Sequence, residues 1–449
     1  MDFVSDQLYN GKKFKSLTLI DILKTSRGLL MRKLINSMDR KMIIFFCITA
    51  MLGLAMGLSD SFLSNYFKDA YNVSTATRGI IEFPRELPGL LCLVVIGAGS
   101  FLGDIRLAII AQLLSIIGLV ALGLLTPPFN IMLIFLFINS LGNHMYMPLD
   151  SSIGMSLVED QRQLGKRLGQ YSSVRTAFGM IAFIIMYFGA QAGWFSFTTT
   201  LKIPFLISAA LFIIILVLFI VLKNTMAHEP ITERKFKLVF KKQYKLYYVL
   251  ATVFGVQKQI MLVYGPWVLL RLLNLDLSTM ALLYMVGSFV GVFFLPLLGK
   301  WLDRFGIRKL LFADALSFIG VYVLYAFFSA GFNSGFLATT GIALMLTFGL
   351  FIIDRMSTQM GLVRVAYLRK IIVDSRDLTP TLSTGTSMDH VVSIVAAILC
   401  GFIWESFGPQ YVFIFAALMS LVNLFVAFKV HDSDEEARVT SRQQVQDSQ

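Results

Sequence analysis

Charge is scarce in this chain. Asp, Glu, Lys and Arg make up only 15% of its 449 residues, while 56% are apolar. A water-soluble fold of this length needs a far more polar surface, so the composition excludes that class and points to lipid as the solvent. Cysteine is scarcer still. Cys47, Cys92 and Cys400 all lie in apolar runs, which excludes a disulfide framework, and no metal-type spacing is present. The four histidines form no H-E-x-x-H pattern and no serine sits in a nucleophile elbow, so no enzyme chemistry, metal or cofactor is expected. A cleavable leader is not expected either, because the first residues are polar and basic and the first apolar run is long enough to span. The net charge of +12 is spread through the short segments between apolar runs rather than gathered in a patch, so no nucleic-acid partner is expected.

What is abundant is apolar sequence in runs of membrane length. A helix needs about 20 such residues to cross the bilayer. Runs of that kind lie near 42–66, 78–102, 105–126, 130–156, 169–192 and 203–222, and again near 246–271, 279–299, 309–330, 335–362, 381–403 and 409–429. Six spans therefore precede, and six follow, one long charged connection at 223–245. The segments 1–37 and 431–449 read as polar tails, the second with no pattern that would fold. Basic residues concentrate in 159–168, 223–245, 300–309 and 364–376, which all fall on one side. The other side carries Lys68, Arg78, Lys202 and Arg271. This asymmetry places both termini in the cytoplasm.

One connection carries a motif. Between spans 8 and 9 the chain reads Gly299-Lys300-Trp301-Leu302-Asp303-Arg304-Phe305-Gly306-Ile307-Arg308-Lys309. This resembles the G-x-x-x-D-R-x-G-x-R-[KR] loop of the major facilitator superfamily, which recurs between spans 2 and 3. The segment there is Ser100-Phe101-Leu102-Gly103-Asp104-Ile105-Arg106, which keeps an acid, Asp104, but lacks the later glycine and basic pair. The resemblance covers roughly residues 38–430. It implies an all-α integral membrane protein, with twelve transmembrane helices in two pseudo-symmetric six-helix bundles, 38–222 and 246–430. It also implies a monomer and a small solute held between the bundles while they rock about it. Asp303 is then expected to accept from backbone N–H groups at the start of span 11, where Thr379-Pro380 offers an N-cap and first turn. Arg304, Arg308 and Lys309 would pair with acids on adjacent loops as a gate.

Glycines elsewhere invite other readings. Gly97-Ala98-Gly99 followed by Gly103 could pass for a nucleotide loop, but no strand precedes it and it lies in a lipid-length helix. Gly53-x-x-x-Gly57 and Gly287-x-x-x-Gly291 read as helix-packing faces. Residues 1–22 stand apart: MDFVSDQLYNGKKFKSLTLIDI resembles the start of the catalytic core of IS3-type transposases, with Asp2 at the first carboxylate of that family's metal-binding triad. A lone carboxylate binds no metal pair and two strands bury no core. The segment is therefore read as a relic of a frame that begins inside an insertion element, with Met31 or Met38 as a reasonable start. That implies a bacterial source and the inner membrane.

Ionisable groups inside spans are costly and so are functional candidates by default. Span 1 carries Asp60. Span 2 carries Glu82, Arg85 and Glu86, which share one helical face through i, i+3 and i, i+4 spacing beside Pro84 and Pro88. Lys258 lies roughly 17 Å into span 7. Arg175 of span 5, Asp354-Arg355 of span 10 and Asp389-His390 of span 11 fall nearer the cytoplasm, and aligning Gly169 with Gly385 brings Arg175 and Asp389 to nearly the same depth. Span 4 adds Asn139, Asn143, His144 and Asp150. The expectation is an outer charged layer, an inner charged layer and one lysine between them. Asp60, Glu82 or Asp389 would carry a coupling proton, and Lys258, Arg175 or Arg355 would hold an anionic group of the solute.

A receptor or channel explains neither the repeated loop nor the six-plus-six layout. A drug–proton antiporter of the family commonly carries a Gly-Pro-rich span 5. Here that span has Gly179, Gly189 and Gly193 and no proline. The 21 methionines and 40 phenylalanines suit lipid-facing surface whatever the cargo. The reading is secondary transport by alternating access, driven by a proton or sodium gradient, as proton-coupled symport of a small polar or charged organic solute. The alternative is proton-driven efflux of an amphiphilic drug or metabolite.

Overall fold

The computed structural model describes residues 39–158, 164–226, 240–374 and 377–430. The insertion-element reading of 1–22, most of the 223–245 connection and the 431–449 tail lie outside them. The described residues form helices α1 Arg40–Tyr71, α2 Thr75–Ile80, α3 Glu82–Ala98, α4 Asp104–Leu124, α5 Phe129–Ser156, α6 Leu164–Gln191 and α7 Ile203–Thr225. They continue with α8 Lys245–Gln259, a π-helical turn Ile260–Tyr264, α9 Gly265–Arg271, α10 Leu277–Ser334, α11 Gly341–Gln359, α12 Gly361–Ile371, α13 Leu378–Phe407 and α14 Pro409–Lys429. Among the described residues, ten stretches are long and apolar enough to cross a membrane. One of these, α10, is far longer than the ~30 Å hydrocarbon core and is two spans joined at Gly306. The 17-residue α3 supplies a further, shorter crossing. The membrane crossings among the described residues therefore number twelve, as the hydropathy pattern requires.

The boundaries differ from the sequence reading where backbone chemistry intervenes. Span 2 was expected as one run from 78 to 102. It is instead a short helix capped by Ser74, whose side chain accepts from the Thr77 N–H at 3.2 Å, followed by α3. Pro84 and Pro88 both fall in α3, Pro88 in its interior, where the missing N–H weakens the ladder. Span 10 was expected at 335–362. Gly335 and Gly341 both take positive φ, and the helix starts only at Gly341 and runs on through α12 to Ile371. Arg364, counted above among loop residues, is therefore helical and only 3% exposed. Span 11 begins at Leu378 with Asp377 as its N-cap residue, so Pro380 sits inside the first turn and not at its first position.

The chain's contacts gather into two compact units, one holding the described residues of 1–236 with 266–292, the other those of 237–265 with 293–449. In the first unit α1 lies against α6 and α7, and α4 against α5 and α7. Missing side chains allow this closeness. A Cβ on Gly53 would lie 2.3 Å from the Arg175 carbonyl oxygen, and one on Gly142 would lie 2.4 Å from that of Ala111. Gly53 and Gly57 thus form the packing face expected of them. In the second unit α8 packs on α13 and α14. A buried polar chain ties it together: Gln257 donates to Ser420 Oγ at 2.7 Å, Asn423 donates to Gln257 Oε1 at 3.2 Å, and Tyr322 Oη donates to the Gln257 carbonyl at 2.9 Å.

The backbone also corrects the motif alignment. Gly306 has φ 78°, ψ 168°, and Gly103 has φ 82°, ψ 159°. Only glycine tolerates this region. The two residues are the same turn in the two halves, so Gly103 is the counterpart of Gly306 and Arg106 of Lys309. The first copy keeps the later glycine after all. Asp104 falls one residue past the turn, not three before it, and is not the counterpart of Asp303; Ser100 holds that position.

Replacing Gly103 or Gly306 with Val should strain the turn by about 1–3 kcal/mol and lower the melting temperature of the detergent-purified protein. Gly299→Ala, where a Cβ meets open space, should leave it nearly unchanged. Equal melting temperatures across all three variants would show that the turn conformation is dispensable.

Candidate functional site

Several charged residues of the spans form ion pairs within their own units. In the first unit Arg78 donates to Glu82 Oε1 at 2.5 Å and Arg85 donates to the same oxygen at 2.6 Å. Arg78 and Glu82 are each 1% exposed and Arg85 is half-buried. Arg78 also lies over the rings of Phe67, at 5.2 Å, and Trp267, at 5.9 Å. Trp267 in turn donates to Thr75 Oγ1 at 3.0 Å and stacks under Arg271, which donates to the Val73 carbonyl. Arg78, read from sequence as a loop residue, is thus the centre of a buried cluster. The charges of Glu86 and Asp60 act on Arg85, and Glu86 lies within 4.8 Å of a His144 ring nitrogen. The expected grouping of Asp60, Glu82, Arg85 and Glu86 is present, but Glu82 is clamped between two guanidinium groups.

Arg175 is paired inside the same unit. It donates to Asp150 Oδ2, and Tyr146 donates to Asp150 Oδ1 at 2.9 Å. Spans 4 and 5 therefore supply one carboxylate, one guanidinium and one hydroxyl to a single half-buried knot. Asp104 is 4% exposed and accepts from Ser152 Oγ, so it joins α4 to α5 at the first turn of α4, where a helix end favours an acid.

In the second unit Lys258 donates to Asp389 Oδ2 at 2.7 Å, with side-chain exposures of 19% and 9%. This corrects the expectation of a lysine alone between two charged layers: its ammonium and the Asp389 carboxylate share one depth. The sequence places Lys258 on the last turn of α8, and a close approach of helices brings Asp389 to it. A Cβ on Gly255 would lie 2.6 Å from Asp389 Oδ1, so only glycine fits there. Ser393 Oγ donates to the Gly255 carbonyl at 3.2 Å and lies 3.4 Å from Asp389 Oδ1, which fixes the carboxylate. His390 follows on the same helix and is half-buried. Arg355 sits over the Phe351 ring at 5.8 Å.

Asp354 differs from the other acids. It is 0% exposed and neither carboxyl oxygen has a hydrogen-bond partner among the described residues. It lies against the start of α9. The place where a Cβ on Gly265 would sit is 3.5 Å from Asp354 Oδ2 and 3.7 Å from Tyr325 Oη. Gly265 immediately follows the π-helical turn, a distortion that loosens the helical ladder.

Two partners escaped the sequence reading. Arg364 Nη1 is 3.3 Å from Asp314 Oδ2, with side-chain exposures of 4% and 0%, and its guanidinium lies 3.6 Å over the Phe254 ring. Asp314 is a lone acid in the apolar run of span 9, a signal that intramembrane charge rules do provide. Arg364 was hidden because the apolar run of span 10 was ended too early.

The motif residues are less engaged. Asp303 and Arg304 are exposed, and Asp303 makes no hydrogen bond or ion pair among the described residues. The expected bond to the start of span 11 is not made. That helix start is held instead by Asp377, which accepts from Lys241 and, at 3.0 Å, from Tyr244. The hydrogen bond from Lys241 holds the Asp377 carboxyl below the ordinary carboxylate range, and the same bond raises the Lys241 ammonium. Arg304 and Arg308 lie over Phe305 and Phe312, at 5.3 and 5.9 Å; Lys309 is exposed and Gly299 has open space beside it.

Arg364→Leu strands Asp314 in an apolar interior and should cost about 3–5 kcal/mol, whereas the double variant Asp314→Leu with Arg364→Leu should recover most of that. Thermal unfolding in detergent checks it. A double variant no more stable than Arg364→Leu would show that the pair does not act as a unit.

Comparison with known proteins adds to this geometry. The family model described as Major Facilitator Superfamily matches residues 45–370. No curated protein matches the chain in sequence. The nucleoside transporter NupG superposes with a TM-score of 0.64 at 14% identity, covering 87% of this chain and 99% of its own. A D-xylose-proton symporter gives 0.64 at 16% identity, covering 86% and 96%. A POT family transporter in complex with 5-aminolevulinic acid gives 0.68 at 13% identity, covering 86% and 95%. At these identities the likeness carries the fold alone. The family match spans well over half of the chain, so this protein, a transporter and not an enzyme, belongs to the Major Facilitator Superfamily.

Proposed function

We propose that this chain is a proton-coupled symporter of a small polar or charged organic solute. It works as a monomer by alternating access in a bacterial inner membrane, with both termini cytoplasmic. The observation that carries this reading is the Lys258–Asp389 pair at 2.7 Å, a buried carboxylate held by Ser393 and the Gly255 contact and facing a part-exposed ammonium. A charged pair that is neither fully buried nor free in water can exchange its internal partner for the charge of a solute at small net cost, whereas a fully buried pair cannot. The Arg175–Asp150–Tyr146 knot offers the same chemistry in the other unit. The fold accommodates such cargo: similar structures include a D-xylose-proton symporter and a transporter holding 5-aminolevulinic acid.

The distribution of partners supports a different seat for the proton from Asp60, Glu82 or Asp389. Glu82 already faces two arginines and Asp389 a lysine, so each of these carboxylates has a cationic partner. Asp354 has no such partner and no water-exposed surface. An ionised carboxylate is expensive in that setting. Asp354 is therefore the seat of the transported proton, released when the loosened α8–α9 junction beside it moves. The groups around it are Arg355 on its own helix, Tyr322 and Tyr325 on α10, and the Gly265 backbone.

In proteoliposomes Lys258→Ala and Asp389→Asn should each cut solute transport by at least ~10-fold, the factor carried by ~1.4 kcal/mol, while the protein stays inserted and folded. Asp354→Asn should keep solute exchange but lose accumulation driven by a proton gradient. Wild-type rates in the first two variants would remove the pair from the mechanism. Gradient-driven accumulation in the third would remove Asp354.

A further inference from the structure

The second unit carries an apolar groove that the transport reading does not use. Its volume is about 280 Å³, and Val249, Thr252 and Val253 of α8, Met388 of α13, and Met419 and Val422 of α14 line it. Val249, Thr252, Met388, Met419 and Val422 are half-exposed, so the groove is a surface feature and not a sealed void. Its residues begin one turn into α8. From Lys245 to Val253 is about 12 Å along the helix at 1.5 Å per residue, close to the depth of one leaflet of a ~30 Å hydrocarbon core.

The end of the groove is basic. Lys245 is three and four residues before Tyr248 and Val249, so it shares their face of α8. Lys242 precedes it by one turn. Both are exposed and neither forms an ion pair with an acid among the described residues, whereas Lys241 is held by Asp377. The exposed Phe240 ring lies 5.9 Å from that of Tyr248, which also lines the groove. An exposed aromatic beside lysines at a helix end matches the chemistry of the membrane–water boundary.

We propose that this groove is a binding site for an anionic phospholipid. One acyl chain lies between α8, α13 and α14 against Thr252, Met388 and Met419, and the headgroup phosphate meets Lys242 and Lys245. Flexible methionine walls conform to a chain of no fixed shape. Two free cations at the mouth favour a negative headgroup over a zwitterionic one. Because α8 carries Lys258 towards its far end, an occupied groove braces the helix that holds the Lys258–Asp389 pair. The site itself rests on the groove and its lysines and does not depend on the cargo.

The test is thermal unfolding of the full chain in detergent, titrated with phosphatidylglycerol, with phosphatidylcholine of the same chains, and with glycerol 3-phosphate. Phosphatidylglycerol should raise the melting temperature by several degrees more than phosphatidylcholine, and glycerol 3-phosphate should leave it unchanged. Lys242→Gln with Lys245→Gln, a surface change that spares the core, should bring the phosphatidylglycerol shift down to that of phosphatidylcholine. Thr252→Trp, which fills the groove, should remove the shift for both lipids. Equal shifts for the two lipids on the unaltered protein would overturn the proposal, as would a full phosphatidylglycerol shift in the lysine variant. A shift with glycerol 3-phosphate as large as that with the lipid would mean a free-anion site in place of a lipid one.

Discussion

A charge inside an apolar helix is costly unless it is paired, and several intramembrane acids of this chain meet that constraint with a cation. Glu82 takes two arginines, Asp150 one arginine and a tyrosine, Asp389 a lysine, and Asp314 the arginine of α12. Each set lies within one compact unit. Removing one member leaves the other uncompensated, which is far more costly than never having had the pair. The Asp150, Asp389 and Asp314 pairs tie helices that are distant in sequence, and glycines such as Gly53, Gly142 and Gly255 let helices come close together.

The pairs differ in exposure. The Arg364–Asp314 pair is sealed and roofed by Phe254, so nothing from outside can compete for it. Lys258 and Asp389 are less sealed, as is Arg175 with Asp150. On the function proposed above, those are the pairs that a charged solute would contest. Asp354 stands outside the pairing altogether, and its position beside the π-helical turn links its burial to the one place where the span-7 ladder is already loosened.

Much of the fold could be read from hydropathy because lipid imposes a simple rule: long apolar runs, interrupted by basic connections. The motif around Gly306 carried the family. What could not be read was register. Asp104 looked like the repeat's acid because it is an acid at the right loop, yet the backbone of Gly103 shows that the turn begins one residue earlier. Arg364 reads as a loop residue because the apolar run of span 10 ends near 362; Gly335 and Gly341 shift that helix along the chain. The candidate residues were found by type, but their partners were not. The link of Arg78 to Glu82 is local in sequence, whereas Lys258 with Asp389 and Arg364 with Asp314 are brought together only by helix packing.

The central claim is that the contested charged pairs serve a small polar cargo whose binding is tied to a proton. Thermal unfolding of the purified protein against organic anions, zwitterions, sugars and lipophilic cations, at about pH 6 and about pH 8, tests this most directly, because a ligand at 100 times its dissociation constant stabilises a fold by ~2.7 kcal/mol. The account predicts stabilisation by a small polar or charged solute, larger at the lower pH. Stabilisation by lipophilic compounds alone, equal at both pH values, would contradict it and make the charged pairs structural braces of an exporter.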